Sequence, residues 1–262
     1  MNPDWIVPRW PAPPNVRAVC TTRAVGVSTA PFDSLNLGDH VGDLAANVAH
    51  NRALLQGAIS ATPIFLKQVH GVQVVSLTAE TAHGTAADAC ITTQSGVACT
   101  IMVADCLPVL LTNRVGSFVA AAHAGWRGLA GVDGVGVLEA AVQSIQGTNQ
   151  PIKIAAADIL AWLGPCIGAT QFEVGGEVRD AFASNDPAAL RHFTPCAGGK
   201  WLADLRGLAR QRLNALGIMH TYGNDGSLAW CTASTPSRFF SHRRDSVALG
   251  GSGRMAAGIW LG

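Results

Sequence analysis

The chain has little charge. Of its 262 residues only 13% are Asp, Glu, Lys or Arg, the net charge is +1, and no run of Lys or Arg interrupts the pattern. Non-specific binding to a phosphate backbone needs a basic face that displaces counterions, so nucleic acid is not an expected partner. Cysteine pairs are missing as well. The seven cysteines are odd in number and none forms a Cys-x-x-Cys pair, which argues against a disulfide framework and for a reducing compartment. No stretch of ~18 apolar residues runs free of charges and turn signals, so no membrane-spanning helix and no membrane partner are expected. The opening Met1-Asn2-Pro3-Asp4-Trp5 has an early acid and lacks the basic start and apolar centre of a secretory signal. These absences together predict a cytoplasmic protein. The glycine-rich stretches match neither the dinucleotide-binding nor the phosphate-loop spacing.

Apolar residues, by contrast, make up 48% of the chain, enough for a globular core rather than a disordered one. No repeat, linker or low-complexity segment divides residues 1–262, and a single domain is expected. Val16 to Thr22 reads as a strand. Leu44 to Ile59 reads as a helix capped by Asp43, with Leu44, Val48, Leu54, Leu55 and Ala58 on one face. Phe65–Val69 and Val72–Leu77 read as short strands around His70. Val97–Val103, Val109–Thr112 and Phe118–Ala122 are short apolar runs that suit buried strands. Helices are expected at 135–145, 174–184 and 203–216, with Gly217 a natural stop. A strand is expected within 152–163, and a tail of turns and short strands ends in Ile259-Trp260-Leu261. Strands and helices mix without regular alternation, which predicts an α+β fold with helices covering a mixed sheet or two stacked sheets.

Three reactive residues stand in dense local motifs: His70 in Lys67-Gln68-Val69-His70-Gly71, Cys106 in Ala104-Asp105-Cys106-Leu107-Pro108, and His123 in Ala122-His123-Ala124-Gly125-Trp126-Arg127-Gly128. A solitary cysteine is usually an inert core residue, and the other six are read so. Cys106 differs because Asp105 precedes it in a polar turn at a strand end. His123 ends an apolar strand and enters a bend where Gly125 and Gly128 let backbone approach a ligand. Arg127 adds a planar fork suited to phosphate or carboxylate. Two chemistries suit this set. Three scattered ligands with an open fourth position describe a catalytic zinc site; a Cys with a His partner describes a nucleophile and its base. Two further groups are candidates for anion or purine binding: Arg23 after the first strand, and His242 with Arg243 in the polar Ser241-His242-Arg243-Arg244-Asp245. A surface ion pair and a solvated turn are the plain alternatives for these two.

With these motifs in order, the chain resembles the YfiH-type laccase-domain family, whose members are described as purine nucleoside phosphorylases, peptidoglycan editing factors or multicopper polyphenol oxidases. The resemblance runs nearly end to end. It also rests on Thr21-Thr22-Arg23, Asn36-Leu37-Gly38, Leu163-Gly164-Pro165-Cys166-Ile167-Gly168 and Gly253-Arg254-Met255. It implies an α/β/β/α layered domain with mixed sheets, similar to CNF/YfiH-like cysteine hydrolases. It implies one Zn²⁺ per chain on His70, Cys106 and His123, with copper the lesser alternative. Catalysis would fall to Cys106, His123, His70 and Asp105. Substrate would be held by Arg23, Asn36, Lys67, Gln68, Arg127, His242 and Arg243. Two segments, 129–134 and 246–252, look longer than the family's usual links.

The implied reaction is phosphorolysis of adenosine, inosine, guanosine or methylthioadenosine, with adenosine deamination as a side activity. The partners are then a small nucleoside and phosphate, on a monomer or small homo-oligomer. A peptidoglycan-precursor hydrolase is the alternative, acting through zinc-bound water or through Cys106 with His123. Copper polyphenol oxidation ranks lower, since eight histidines without a His-x-His pair suit a multicopper site poorly. A non-catalytic binding protein would use the same pocket.

Overall fold

A computed structural model describes residues 2–148 and 154–262. Among them the chain forms β1 (Val16–Cys20), α1 (Ala45–Ala58), β2 (Thr62–Phe65), β3 (Val74–Ser76), β4 (Ala89–Thr92), β5 (Val97–Val103), β6 (Leu107–Asn113) and β7 (Val119–Ala124). Then come α2 (Trp126–Ala130), α3 (Val137–Gln146), β8 (Ile159–Leu163), β9 (Glu173–Val174), α4 (Gly176–Ala183), β10 (Phe193–Pro195), β11 (Trp201–Ala203), α5 (Leu205–Ala215), β12 (His220–Gly223), α6 (His242–Leu249) and β13 (Met255–Leu261). A four-stranded sheet runs β1-β13-β5-β2, a six-stranded sheet runs β12-β8-β6-β7-β4-β3, and β10-β11-β9 make a small third sheet. Both large sheets are mixed: β2 lies parallel to β5, β12 to β8 and β3 to β4, and the other pairs are antiparallel.

The two large sheets stack, and the two-residue period of a strand sorts the side chains between layers. Along β5, Val97, Cys99, Ile101 and Val103 enter the inter-sheet core with Leu110, Val119, Ala121, Trp162 and Phe240. The alternate residues Ala98 and Met102 meet Leu55 of α1 and Ile59 just after it on the outer face. The far face of the six-stranded sheet packs on Leu138 and Val142 of α3, Phe182 of α4 and Leu208 of α5. The result is the expected α/β/β/α stack. Covering both sheets by helices explains why β5, β6 and β13 are buried at every position and read as continuous apolar runs.

Several local expectations are corrected. Asp43 does not cap α1 through the first-turn amides. Leu44 is the cap residue, and Asp43 turns instead to Ser28 Oγ at 2.6 Å and Asn36 Nδ2 at 2.9 Å. The buried face of α1 is Val48, Asn51 and Leu55; Leu44 and Leu54 are exposed. The face includes a polar residue because Asn51 Nδ2 bonds the carbonyls of Ser34 and Asn36, tying a long loop to the helix. Glu173–Val174 is a strand, so the fourth helix begins later, at Gly176. The strand expected within 152–163 is Ile159–Leu163, after a single 3-10 turn at Ala156–Asp158; Ile152 lies outside the described residues. Ser241 to Asp245 is the start of α6 rather than a turn, with Ser241 Oγ accepting from Arg244 N. No helix among the described residues is long and apolar enough to cross a membrane.

Candidate metal centre and active-site cavity

Cys106 sits where the chain crosses from one sheet to the other, between β5 and β6. The crossing needs a sharp bend, and Asp105 supplies it with φ +87°, a conformation that costs a non-glycine residue energy. Three donors hold it there: its carboxylate accepts from Thr232 Oγ1 at 2.5 Å, Ser241 Oγ at 3.0 Å and Arg243 N at 2.7 Å. Asp105 therefore fixes the cysteine and the start of α6 in one bond set. Expected among the catalytic groups, it is saturated by these bonds and acts as a positioning residue.

The two histidines share another carboxylate. Asp88, fully buried, accepts from the backbone amides of Val69 at 3.2 Å, His70 at 2.9 Å and Gly71 at 2.7 Å. This collar stabilises His70 at φ +61°. The same carboxylate accepts from Nδ1 of His123 at 2.9 Å. That bond fixes the tautomer and leaves Nε2 of His123 for the cluster. Burial opposes ionisation of Asp88, but the His123 ring and the Gly71 and Val69 amides outweigh it and hold the carboxyl below its ordinary value. Asp88 was not anticipated; the signal for it is a single acid inside the apolar run Ala86-Ala87-Asp88-Ala89-Cys90.

Sγ of Cys106 stands 3.8 Å from Nε2 of His70, and ligand atoms of His70, Cys106 and His123 all lie within 4.8 Å of one another. The imidazole rings meet edge to face at 4.8 Å and 73°. Close approach here depends on two glycines. A Cβ on Gly125 would lie 2.9 Å from both Sγ of Cys106 and Cδ2 of His70, and one on Gly128 would lie 2.7 Å from the carbonyl of Gly71. Burial alone would raise the Cys106 thiol, but the charge and hydrogen bonds of His123, with help from His70, bring it down to about 6. Burial would lower His123, yet Cys106 and Asp88 raise it to about 9.

This donor set fits a metal ion. Adjacent N and S ligands about a tetrahedral zinc stand ~3.6 Å apart when Zn–S is near ~2.3 Å and Zn–N near ~2.0 Å. The Cys106–His70 spacing of 3.8 Å is close to that. One ligand carries a carboxylate behind its far nitrogen, the usual arrangement for a ligating histidine. Of the other cysteines, Cys20, Cys90, Cys99, Cys166 and Cys231 are buried free thiols, as expected, whereas Cys196 is only half-buried and is not a core residue; burial, only partly offset by Arg238, pushes Cys20 up to about 12.

The cluster lines a cavity of about 420 Å³. Trp126, Ile167, Phe172 and Leu205 give it apolar walls, and Gln68, Arg127, His242, Arg243, His40 and Arg254 give it polar ones. Gln68 spends its amide on Met102, donating to the carbonyl and accepting from the N–H, both at 2.8 Å. Arg127 stacks on Trp126 at 4.4 Å. Arg243 lies over Phe172 at 5.6 Å and donates to the Glu173 carbonyl at 3.0 Å. His242 engages Ser246 Oγ through Nδ1 at 2.7 Å.

Three expected substrate contacts lie elsewhere. Arg23 faces a different groove, paired with Asp33 at 3.2 Å and bonded to the Pro236 carbonyl; its role is to join two loops. Asn36 is fully buried and spends its side chain on Gly38, Asp43 and the Arg254 amide. Lys67 is exposed beside the cluster but does not line the cavity. Sequence reasoning missed His40 and Arg254 because their segments are far from the three motifs and meet them only in the fold.

Residues 17–262 match the family described as multi-copper polyphenol oxidoreductase laccase. The chain belongs to this family. A purine nucleoside phosphorylase of Pseudomonas aeruginosa is 48% identical over 258 residues, covering 98% of each chain. Purine nucleoside phosphorylase YfiH of Escherichia coli is 47% identical, again over 98% of each chain. Among solved structures, a protein of Neisseria meningitidis assigned to the family DUF152 superposes with a TM-score of 0.89 at 43% identity, covering 98% of this chain and 99% of that one. YfiH of Bacillus licheniformis, described as a hypothetical protein, superposes with a TM-score of 0.82 at 29% identity, covering 94% of this chain and 93% of that one. The layered fold is thus the family's own.

Proposed function

We propose that the chain is a zinc-dependent purine nucleoside phosphorylase. One observation carries the reading: the His70–Cys106–His123 cluster lines a cavity together with aromatic side chains and three guanidinium groups. Relatives that match this chain end to end and are named for that activity support it. A zinc ion on these ligands would supply Lewis-acid polarisation of an oxygen on one reactant. Phe172 and Trp126 give the cavity aromatic surface against which a purine can pack, and the guanidinium groups attract phosphate. A phosphate oxygen forms a bond to C1′ of the ribose as the C1′–N bond breaks, and the electron pair leaves with the base. The base takes up a proton, and His242, a cavity-lining ring outside the His70–Cys106–His123 cluster, is assigned as its source. Its Nδ1 is engaged by Ser246, so Nε2 is the atom that donates. Adenosine deamination is proposed only as a side activity of the same cavity.

A second reading has one observation in its favour. The lowered Cys106 thiol and raised His123 ring form an activated nucleophile and acid if no metal intervenes, as a peptidoglycan-precursor hydrolase would use. The copper oxidase reading draws on the family's description, but the described residues hold a single cluster at ligand spacing, and a multicopper oxidase needs more.

Metal content and base release separate these readings, measured on wild type and Cys106→Ala with inosine and adenosine, with and without phosphate. About one zinc per chain, lost in the variant together with phosphate-dependent release of hypoxanthine or adenine, is the expected result. A metal-free protein without phosphate-dependent turnover would refute the phosphorylase and leave the cysteine hydrolase.

A further inference from the structure

Two sequence motifs have no part in the metal cluster: Asn36-Leu37-Gly38 and Gly253-Arg254-Met255. In the fold they form one device. Nδ2 of Asn36 closes its own turn on the Gly38 carbonyl at 3.1 Å, and its Oδ1 accepts from the amides of Gly38 at 2.9 Å and Arg254 at 2.8 Å. The Leu37 amide donates to the Arg254 carbonyl at 3.0 Å. Gly38 then leaves room for the arginine stem, since a Cβ there would stand 2.7 Å from Cγ of Arg254. Nη1 of Arg254 donates to the carbonyls of Ser252 at 2.8 Å and Gly253 at 3.0 Å. The Arg254 backbone is therefore pinned by Asn36 and Leu37, its side chain is held through Nη1, and the rest of its fork stays uncommitted.

Its location is equally defined. Met255 pairs with Val103 in the sheet, so Arg254 stands opposite the Ala104-Asp105-Cys106 turn and lines the cavity. Among the described residues no carboxylate forms an ion pair with it at 4.0 Å or less. Burial lowers its guanidinium, and the charges that oppose this are Cys106 and Asp105. Asp105 is engaged by three other donors and makes no ion pair with Arg254, and Cys106 belongs to the metal cluster. A cation held partly buried without a carboxylate partner is costly unless an anion completes it. Arg127 and Arg243 likewise lack a carboxylate partner among the described residues but are exposed, where water solvates their charge, and each already lies over an aromatic ring.

We infer that Arg254, preset by Asn36 and Gly38, is the residue that binds the phosphate co-substrate beside the metal cluster. His40 adds to the same corner. Partial desolvation and the Arg254 charge hold its ring below the ordinary histidine value, so it offers a neutral hydrogen-bonding group rather than a second cation. The inference rests on the phosphorylase reading for its ligand, and the experiment keeps the two apart.

Calorimetric titration of the metal-loaded protein with inorganic phosphate would compare wild type with Arg254→Met, Arg254→Lys and Gly38→Ala. Steady-state kinetics would give KM for phosphate and for inosine separately. Arg254→Met should weaken phosphate by about 10–100-fold in both measurements while moving the inosine KM little, as loss of a charge-assisted contact predicts. Arg254→Lys, which keeps the stem and the charge, should fall between. Gly38→Ala, which retains the arginine but displaces it, should also weaken phosphate. Phosphate affinity within about twofold of wild type in Arg254→Met, or its loss only in Arg127→Met or Arg243→Met, would overturn the assignment, as would a wild type that binds no phosphate. A wild type that binds phosphate through Arg254 yet releases no base would refute the phosphorylase alone.

Discussion

At the scale of single residues, Asp88 does more than its place in the sequence suggests. Four donors converge on one carboxylate: three successive amides around His70 and the ring of His123. Replacing it by alanine leaves the buried His123 ring, and three amides of a more exposed loop, without their acceptor, which should cost about 2–4 kcal/mol. Chemical denaturation would measure this, and a loss below about 1 kcal/mol would contradict the collar. Asp88→Asn keeps the shape but offers a nitrogen to donors, so metal affinity should fall even where the fold survives. Because Asp88 is held below its ordinary value, its contribution is present above about pH 4 and is lost as pH falls through the lower folded value. Cys106 makes a separate prediction. In metal-free protein its thiolate should persist down to about pH 6. The rate of iodoacetamide alkylation at this residue should therefore rise with a midpoint near that value, and a midpoint in the usual thiol range would refute the Cys106–His123 pairing. Metal binding near neutral pH should displace the proton that His123 retains up to about pH 9, visible as proton release in a weakly buffered titration.

At the scale of elements, the ends of strands matter more than their middles. β7 carries His123 on the inter-sheet face by the two-residue period that also turns Val119 and Ala121 inward. The chain then turns through Gly125 into α2, and that turn is packed against two ligands. Gly125→Ala would bring a Cβ to 2.9 Å from Cys106 Sγ and His70 Cδ2. Metal affinity should drop by about 10–100-fold, as for other groups that orient ligands, with far-ultraviolet dichroism unchanged; undiminished metal affinity would show that the turn can yield. The elements also show what was legible. Val97–Val103 was readable to the residue because an uninterrupted apolar run bounded by turn signals leaves little choice. The buried face of α1 was not, because it passes through Asn51, whose amide serves loop carbonyls that lie 15 and 17 positions away. The start of α6 read as a polar turn because its charges and Ser241 satisfy one another and Asp105 rather than solvent.

At the scale of the molecule, the His70–Cys106–His123 cluster draws on both large sheets, so an ion held there would fasten them to each other. His70 follows β2 of the four-stranded sheet, His123 belongs to β7 of the six-stranded sheet, and Cys106 lies on the connection between them. An ion bound only by the folded state stabilises by mass action, about 4 kcal/mol at a thousandfold excess over its Kd. For a chain of this length that corresponds to a melting temperature about 10 °C higher. A strong chelator should lower the melting temperature of wild type by that order and leave Cys106→Ala unaffected. Equal shifts in both would place the chelator's effect elsewhere.

Composition alone determined that this is a globular chain without long apolar spans or basic runs, because those are properties of the residues and not of their arrangement. The three motifs likewise named His70, Cys106 and His123, since each sits in its own short pattern. Tertiary structure decided which polar residues accompany them. Arg23 and Asn36 stand in motifs as dense as the others, yet one joins loops and the other sets a backbone. Asp88 and Arg254 entered only because β4 and β13 deliver them to the cluster. A side chain's partner is fixed by sheet order and register, which local sequence does not encode.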